Sequence, residues 1–167
     1  MKKTVLAGLL PALGLASGLA LAEGPYAGVK IGIMDADVSG FDDATNGALT
    51  LGYAFDTGNP DLSWALEAEF STSLSDGDVG SGSWDLDTQA LYGAVRYGAD
   101  WFGKLRVGWL REDLSASVGG LSVSGDDTGL SAGLGIGWGT GSFSVLAEYT
   151  LIEEDIDFYS LGVLYHF

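Results

Sequence analysis

The feature that most constrains this chain is a period of two. Eight runs alternate an apolar parity with a small, polar or charged one, at roughly 25–36, 45–55, 63–73, 87–97, 103–113, 128–138, 143–152 and 157–167. Each has about the 9–11 residues that a tilted membrane strand requires. The apolar parity reads Ala27, Val29, Ile31, Ile33 in the first run and Tyr159, Leu161, Val163, Tyr165, Phe167 in the last. The other parity carries Lys30, Glu67, Glu69, Arg96, Lys104, Arg106, Glu112 and Glu148, interspersed with many glycines. Period two alone fits a soluble sandwich as well as a barrel. Lone mid-strand charges of both signs and crowded glycine on one face favour a narrow barrel. There small residues stand where walls converge and enclosed charges pair.

The connections sort by length. Short ones, 56–62, 98–102 and 139–142, follow the second, fourth and sixth runs. Longer ones, 37–44, 74–86 and 114–127, follow the first, third and fifth, while the connection near 153–156 is short. Short periplasmic turns and longer external loops are the rule for outer-membrane barrels. Tyr53, Phe55, Trp64, Tyr97, Trp138, Phe143, Tyr165 and Phe167 then gather at the periplasmic rim, where an interfacial aromatic girdle belongs.

The N-terminus supplies a route to that membrane. Met1-Lys2-Lys3 precedes an uncharged stretch from Thr4, and Ala20-Leu21-Ala22 precedes Glu23. This is the pattern of a secretory signal peptide, with cleavage expected after Ala22. Residues 1–22 are therefore expected to be the signal peptide and 23–167 the barrel domain. Removing Lys2 and Lys3 from the seven basic residues leaves five against 23 acidic ones. So acidic a chain is not expected to bind nucleic acid, whose phosphates need a basic surface. Cysteine is absent, which removes disulfides and a lipoprotein-type anchor.

The expected fold is all-β: an eight-stranded antiparallel transmembrane up-and-down β-barrel behind a cleaved signal peptide. In Tyr26-Ala27-Gly28-Val29-Lys30-Ile31-Gly32, Leu49-Thr50-Leu51-Gly52-Tyr53 and the terminal Tyr165-His166-Phe167, the chain resembles the small outer membrane barrels of OmpA and opacity-protein type, the porin-family β-barrel domain. The resemblance runs from Gly24 to Phe167. It implies a bacterial outer membrane location and contact with the barrel assembly machinery. Phe167 would be the C-terminal assembly signal and Tyr165 its partner. The chain ends with the barrel, so the peptidoglycan-binding domain of full OmpA-type proteins is not implied.

Three groups of residues could carry chemistry. The interior charges Lys30, Glu67, Glu69, Arg96, Lys104, Arg106, Glu112 and Glu148 are expected to form a lumen network, read as a plug, or alternatively as a narrow path for ions or small solutes. Sixteen of the 23 acidic residues fall in or beside the external connections. Asp35, Asp37, Asp42 and Asp43 are weak candidates for a metal, since hard cations take carboxylate oxygens. The stretch Asp35-Ala36-Asp37-Val38-Ser39-Gly40 resembles half a calcium loop, but its twelfth position is Asn46, not Glu. Looser bridging of lipopolysaccharide phosphates by Ca²⁺ or Mg²⁺ is the alternative. Arg111, outward at the external rim, could contact such a phosphate directly. Catalysis is not expected: His166 is the single histidine, at the periplasmic end, while serines cluster at the external side.

The reading is of a non-enzymatic barrel with a structural or surface-interaction role through acidic external loops. It needs no cofactor. Its partners would be outer membrane lipids and lipopolysaccharide, with a monomer favoured. The alternatives are a narrow channel and, remotely, a lipid-modifying surface enzyme.

Overall fold

The computed structural model describes residues 24–37, 39–153 and 155–167. The expected signal peptide, 1–22, lies outside the described residues. Nine strands follow one another: β1 Gly24–Ala36, β2 Ala44–Phe55, β3 Leu62–Ser75, β4 Gly77–Val79, β5 Gly82–Tyr97, β6 Trp101–Val118, β7 Leu121–Thr140, β8 Phe143–Glu153 and β9 Ile156–His166. Eight of them close an antiparallel ring. The order runs β3-β2-β1-β9-β8-β7-β6-β5, and β5 pairs back onto β3. The short β4 hangs on β5 at the external end. Closure between the first and last strands is continuous from Tyr26↔His166 to Ala36↔Ile156, so no membrane-level edge is left open.

The alternation of the sequence becomes an alternation of surroundings. Val29, Ile31, Leu91, Leu105, Val107, Leu134 and Leu161 point outward and are exposed, while Lys30, Glu67, Tyr92 and Lys104 are buried in the lumen. This arrangement inverts a soluble core and is stable only with lipid outside. The apolar outer band ends at Ile33, Trp109, Leu130 and Tyr159. Beyond it the same faces carry Asp35, Arg111, Thr128 and Asp157. At the opposite end Phe55 stacks on Trp64 at 4.5 Å, and Phe143 and Tyr165 lie 5.0 Å apart. The girdle also includes Trp101.

Two expected loops turn out to be strand. The segments 74–86 and 114–127 are largely absorbed into β3, β4 and β5 and into β6 and β7 respectively, and β6 meets β7 in unbroken register from Trp101↔Trp138 to Val118↔Leu121. The turn is Gly119-Gly120, both at positive φ (60° and 85°), which the tight hairpin turn demands and which glycine adopts without steric cost. Their Asp and Ser residues read as loop, but above the membrane a strand tolerates charge on a wet face. β8 pairs with β7 only from Ala132 downward, so the upper part of β7 projects past its neighbour. Leu121–Leu130 is exposed on both faces.

The lumen has three layers. Tyr26, Ala54, Ala65 and Ala94 fill the periplasmic end, with Phe102, Leu146 and Leu164 beside them. Charged residues occupy the middle. The external third is an apolar plug of Met34, Ala44, Ala48, Trp84, Leu86, Leu110, Ile152, Ile156 and Phe158. The sequence reading missed that plug because Trp84 and Leu86 fell inside an apparent loop. The inner glycines also gain a reason. An ideal Cβ on Gly52 would lie 2.2 Å from the Tyr26 ring, one on Gly137 2.2 Å from the Phe102 ring, and one on Gly32 2.8 Å from that of Phe158. Each glycine is the seat of an aromatic ring turned into the lumen.

Candidate functional site

The middle layer is built by alternate residues of four strands. Lys30 comes from β1, Glu67 and Glu69 from β3, Lys104 and Arg106 from β6, and Glu148 from β8. Mid-strand inward positions at one height bring them together across the ring. Lys30 Nζ sits 2.5 Å from Glu69 Oε2 and also donates to Glu148 Oε1. Lys104 Nζ lies 2.7 Å from Glu67 and 3.1 Å from Glu148. Arg106 grips Glu69 with two bonds, 2.7 and 2.9 Å, and reaches Glu148 at 3.1 Å. Three cations thus meet three carboxylates. All six side chains are nearly inaccessible, where an unpaired charge would cost several kcal/mol.

Neutral groups complete the layer. Tyr26 donates to Glu67 at 2.5 Å, Thr50 to Glu69 at 3.0 Å, and Arg106 donates a further bond to Thr150 at 2.7 Å. The Arg106 guanidinium lies 4.1 Å over the Tyr92 ring, whose hydroxyl shares a bond with Ser131. Sequence reasoning missed Tyr26, Thr50, Tyr92 and Thr150. Their signal was register: Thr50 stands opposite Glu69, and Tyr92 opposite Glu67.

Two of the eight expected network members lie elsewhere. Arg96 is at the periplasmic end, its Nη2 donating to the Ala99 carbonyl at 3.0 Å and its guanidinium 3.8 Å over the Phe102 ring. Glu112 is at the external mouth, opposite Asp127 in register. Strand length separates both from the belt: Arg96 is the next-to-last residue of β5, and Glu112 stands six residues beyond Arg106. Burial pushes the Glu112 carboxyl up to about 8, reinforced by a hydrogen bond to Glu153 and by the charges of Glu153 and Asp127.

Arg111 is outward and exposed at the external rim, 3.6 Å from Asp113 and 3.5 Å from Asp126. Asp35 is pushed above the usual carboxylate range, first by desolvation and then by Asp43, Asp157 and Asp37. A hydrogen bond between Asp35 and Asp43 adds to this in the same direction. Among the described residues, no three acidic or histidine side chains are grouped so as to hold a metal ion.

The expectation that serines stand far from His166 needs correction. Ser144, at the start of β8, shares a hydrogen bond with His166 Nε2 at 3.4 Å, because the β8–β9 pairing sets these inward positions side by side. Both are buried in the lumen, and His166 Nδ1 has no hydrogen-bond partner among the described residues. The pair therefore lacks the carboxylate that orients a catalytic histidine.

At the chain's end, the Phe167 amide donates to the Pro25 carbonyl at 3.1 Å, and its ring meets Tyr165 edge-on at 4.9 Å.

Known structures share this architecture. Neisserial surface protein A superposes with a TM-score of 0.65 at 18% identity, over 87% of this chain and 99% of that one. Ail, the attachment invasion locus protein of Yersinia pestis, gives 0.60 at 18% identity over the same shares, and is also known in complex with the heparin analogue sucrose octasulfate. The N-terminal β-barrel domain of Pseudomonas aeruginosa OprF gives 0.60 at 15% identity, again over 87% and 99%. No curated protein matches the chain in sequence. Residues 5–167 match the family described as the outer membrane protein beta-barrel domain. The closed ring, the apolar outer band and this match agree: the chain belongs to the outer membrane β-barrel family and is a protein of the bacterial outer membrane.

Proposed function

We propose that this barrel is a structural and surface-interaction protein that meets partners through its acidic external strands rather than conducting solutes. The observation that carries the reading is the contrast between its two ends. The lumen is filled by the charge belt and, above it, by a plug in which Trp84 and Phe158 are each 1% exposed. Outside, β5, β6 and β7 continue past the apolar band and carry Asp85, Asp87, Asp113 and Asp126 on their outward face. Asp87, Asp113 and Asp126 stand directly opposite one another across three strands. Like charges so placed destabilise a sheet and need a compensating partner.

That partner chemistry is cationic. Ail binds a sulfated heparin analogue in its complex, whereas the acidic strands here repel a polyanion and attract basic protein surfaces or divalent cations. Divalent cations bridging Asp113 and Asp126 to lipopolysaccharide phosphates, with Arg111 between them, would anchor the strands over the outer leaflet. Phe167 with Tyr165 serves as the assembly signal, and the charge belt as a structural plug.

Two measurements test this reading. Refolded protein in planar bilayers is expected to show no discrete openings; steady unit currents would restore the narrow channel. Cells expressing a variant in which β6 and β7 are shortened to end at Arg111 and Thr128 are expected to lose surface attachment with normal barrel insertion. Unchanged attachment and unchanged envelope integrity would remove the surface role.

A further inference from the structure

The charges of the lumen do not balance at its periplasmic end. Among the described lumen residues of the membrane band, Lys30, Lys104 and Arg106 are matched by Glu67, Glu69 and Glu148, and Arg96 is left over. No carboxylate among the described residues forms an ion pair with Arg96. One Nη2 bond to a carbonyl and the face of Phe102 are its contacts, and its Nε is buried without a hydrogen-bond partner. A half-buried guanidinium left unneutralised against strand walls is costly.

A cavity opens beside it. Its volume is about 40 Å³, and its polar wall is formed by Tyr26, Ser63, Glu67, Arg96, Lys104 and His166. About 10–15 Å³ of such space admits one water-sized body, so the cavity holds a small ion together with water. Four buried polar atoms on this wall lack hydrogen-bond partners among the described residues: Arg96 Nε, His166 Nδ1, Glu67 Oε2 and Lys104 Nζ, the last ion-paired with Glu67 and Glu148. Ser144 Oγ lies 3.4 Å from His166 Nε2; in the tautomer in which the serine donates, the ring proton is on Nδ1. Apart from the ion-paired Lys104, the orphans in that tautomer are two donors, one of them formally charged, and one acceptor.

We propose that this vestibule is a binding site for a small monovalent anion of the halide class. The anion accepts from Arg96 Nε and from His166 Nδ1–H, and a water beside it donates to Glu67 Oε2. Glu67 does not repel the anion strongly, because its charge is already taken up by Lys104 at 2.7 Å and by the Tyr26 hydroxyl at 2.5 Å. The apolar plug at the far end closes the external route, so the anion enters and leaves from the periplasm. A chain with 23 acidic residues against seven basic ones thus keeps the one uncompensated lumen cation among its described residues where the acidic exterior is farthest.

The test uses the full-length refolded protein. Crystals soaked in sodium bromide are expected to show an anomalous peak within hydrogen-bond reach of Arg96 and His166. In detergent, chloride NMR line broadening is expected to fall about tenfold or more in Arg96→Gln, the loss of one charge-assisted bond, to fall less in Arg96→Lys, and to stay unchanged in Arg111→Gln. Glu23→Gln, just ahead of β1, is expected to bind as the wild type does. Bromide found elsewhere but not in the vestibule would overturn the site. So would equal broadening in wild type and Arg96→Gln, or binding seen only in Glu23→Gln, which would mean that a carboxylate of the chain fills the seat. Should Arg96→Gln fail to fold, the wild-type bromide map decides alone.

Discussion

Arg106 and Glu69 face each other across the lumen in a two-pronged contact, Nη1 to Oε2 at 2.7 Å and Nη2 to Oε1 at 2.9 Å. The planar fork of arginine matches the carboxylate edge, which a lysine at this position could not do. Because Lys30 also binds Glu69, the pair is one edge of a closed circuit, and cutting it unbalances the whole belt. Arg106→Met is expected to destabilise the barrel by about 3–5 kcal/mol, the cost of leaving a buried partner charge uncompensated. The double variant Arg106→Met/Glu69→Met is expected to recover part of that loss. Urea unfolding in lipid vesicles, read as a double-mutant cycle, checks this; strictly additive effects would show that the two residues do not act together.

The external mouth is expected to loosen as pH rises. Glu112 is buried, hydrogen-bonds Glu153 and faces Asp127, so its carboxyl titrates at about 8 in the folded chain against an ordinary value of 4.5. Between those values the folded state holds a proton that the unfolded state has released. Stability from this group is therefore fully present below about 4.5 and declines as pH climbs through about 8. Hydrogen exchange at the ends of β6 and β8, corrected for intrinsic rates, is expected to be faster at pH 9 than at pH 5.5 in wild type. In Glu112→Gln, which keeps the shape and cannot ionise, that difference should shrink. A pH response of undiminished size in the variant would assign it to other groups.

These two residues also mark how far the sequence could be read. Alternation placed both on the inner face, and strand number, order and closure follow from the same period. Height was harder. A period of two says which way a side chain points but not which residues of distant strands meet, since that depends on stagger around the ring. Lys30 and Glu148, 118 residues apart, touch; Arg96 and Glu112, with the same parity, do not join them. Trp84 was hidden for another reason. It stands among Asp78, Ser83, Asp85 and Asp87, so local composition reads as loop. Its T-shaped contact with Phe41, 43 residues earlier in the chain, and its place beside Met34, Leu86 and Phe158 make it core. The Ser144–His166 contact was likewise invisible until β8 and β9 had a register.

Closure of the ring rests on a glycine. A Cβ built on Gly32 would lie 2.1 Å from the Tyr159 carbonyl oxygen and 2.7 Å from the Ser160 Cα, both backbone atoms of β9. No rotamer change relieves that contact, so β1 and β9 would have to part. Gly103, on the outer face of β6, has nothing within 4 Å. Gly32→Ala is therefore expected to lower refolding yield and the temperature at which the folded band is lost on unheated gels, while Gly103→Ala leaves both near wild type. Equal tolerance at the two positions would mean that the β1–β9 seam adapts.

The last residue separates assembly from stability. Phe167 lies just beyond the paired part of β9, whose final register partner is Tyr26↔His166. Its own ties are one amide bond to Pro25 and the edge contact with Tyr165. Deleting it removes one hydrogen bond, worth about 0.5–1.5 kcal/mol net, and exposes little of the wall. The purified variant is accordingly expected to refold in detergent with near-normal yield. In cells, where a C-terminal aromatic would be read by the assembly machinery, the same deletion is expected to cut the membrane-inserted fraction sharply and leave unfolded chain in the periplasm. Fractionation with heat-modifiable gel mobility distinguishes the two settings. Loss in both would make Phe167 a structural residue of the seam, and normal insertion in cells would remove its role as a signal.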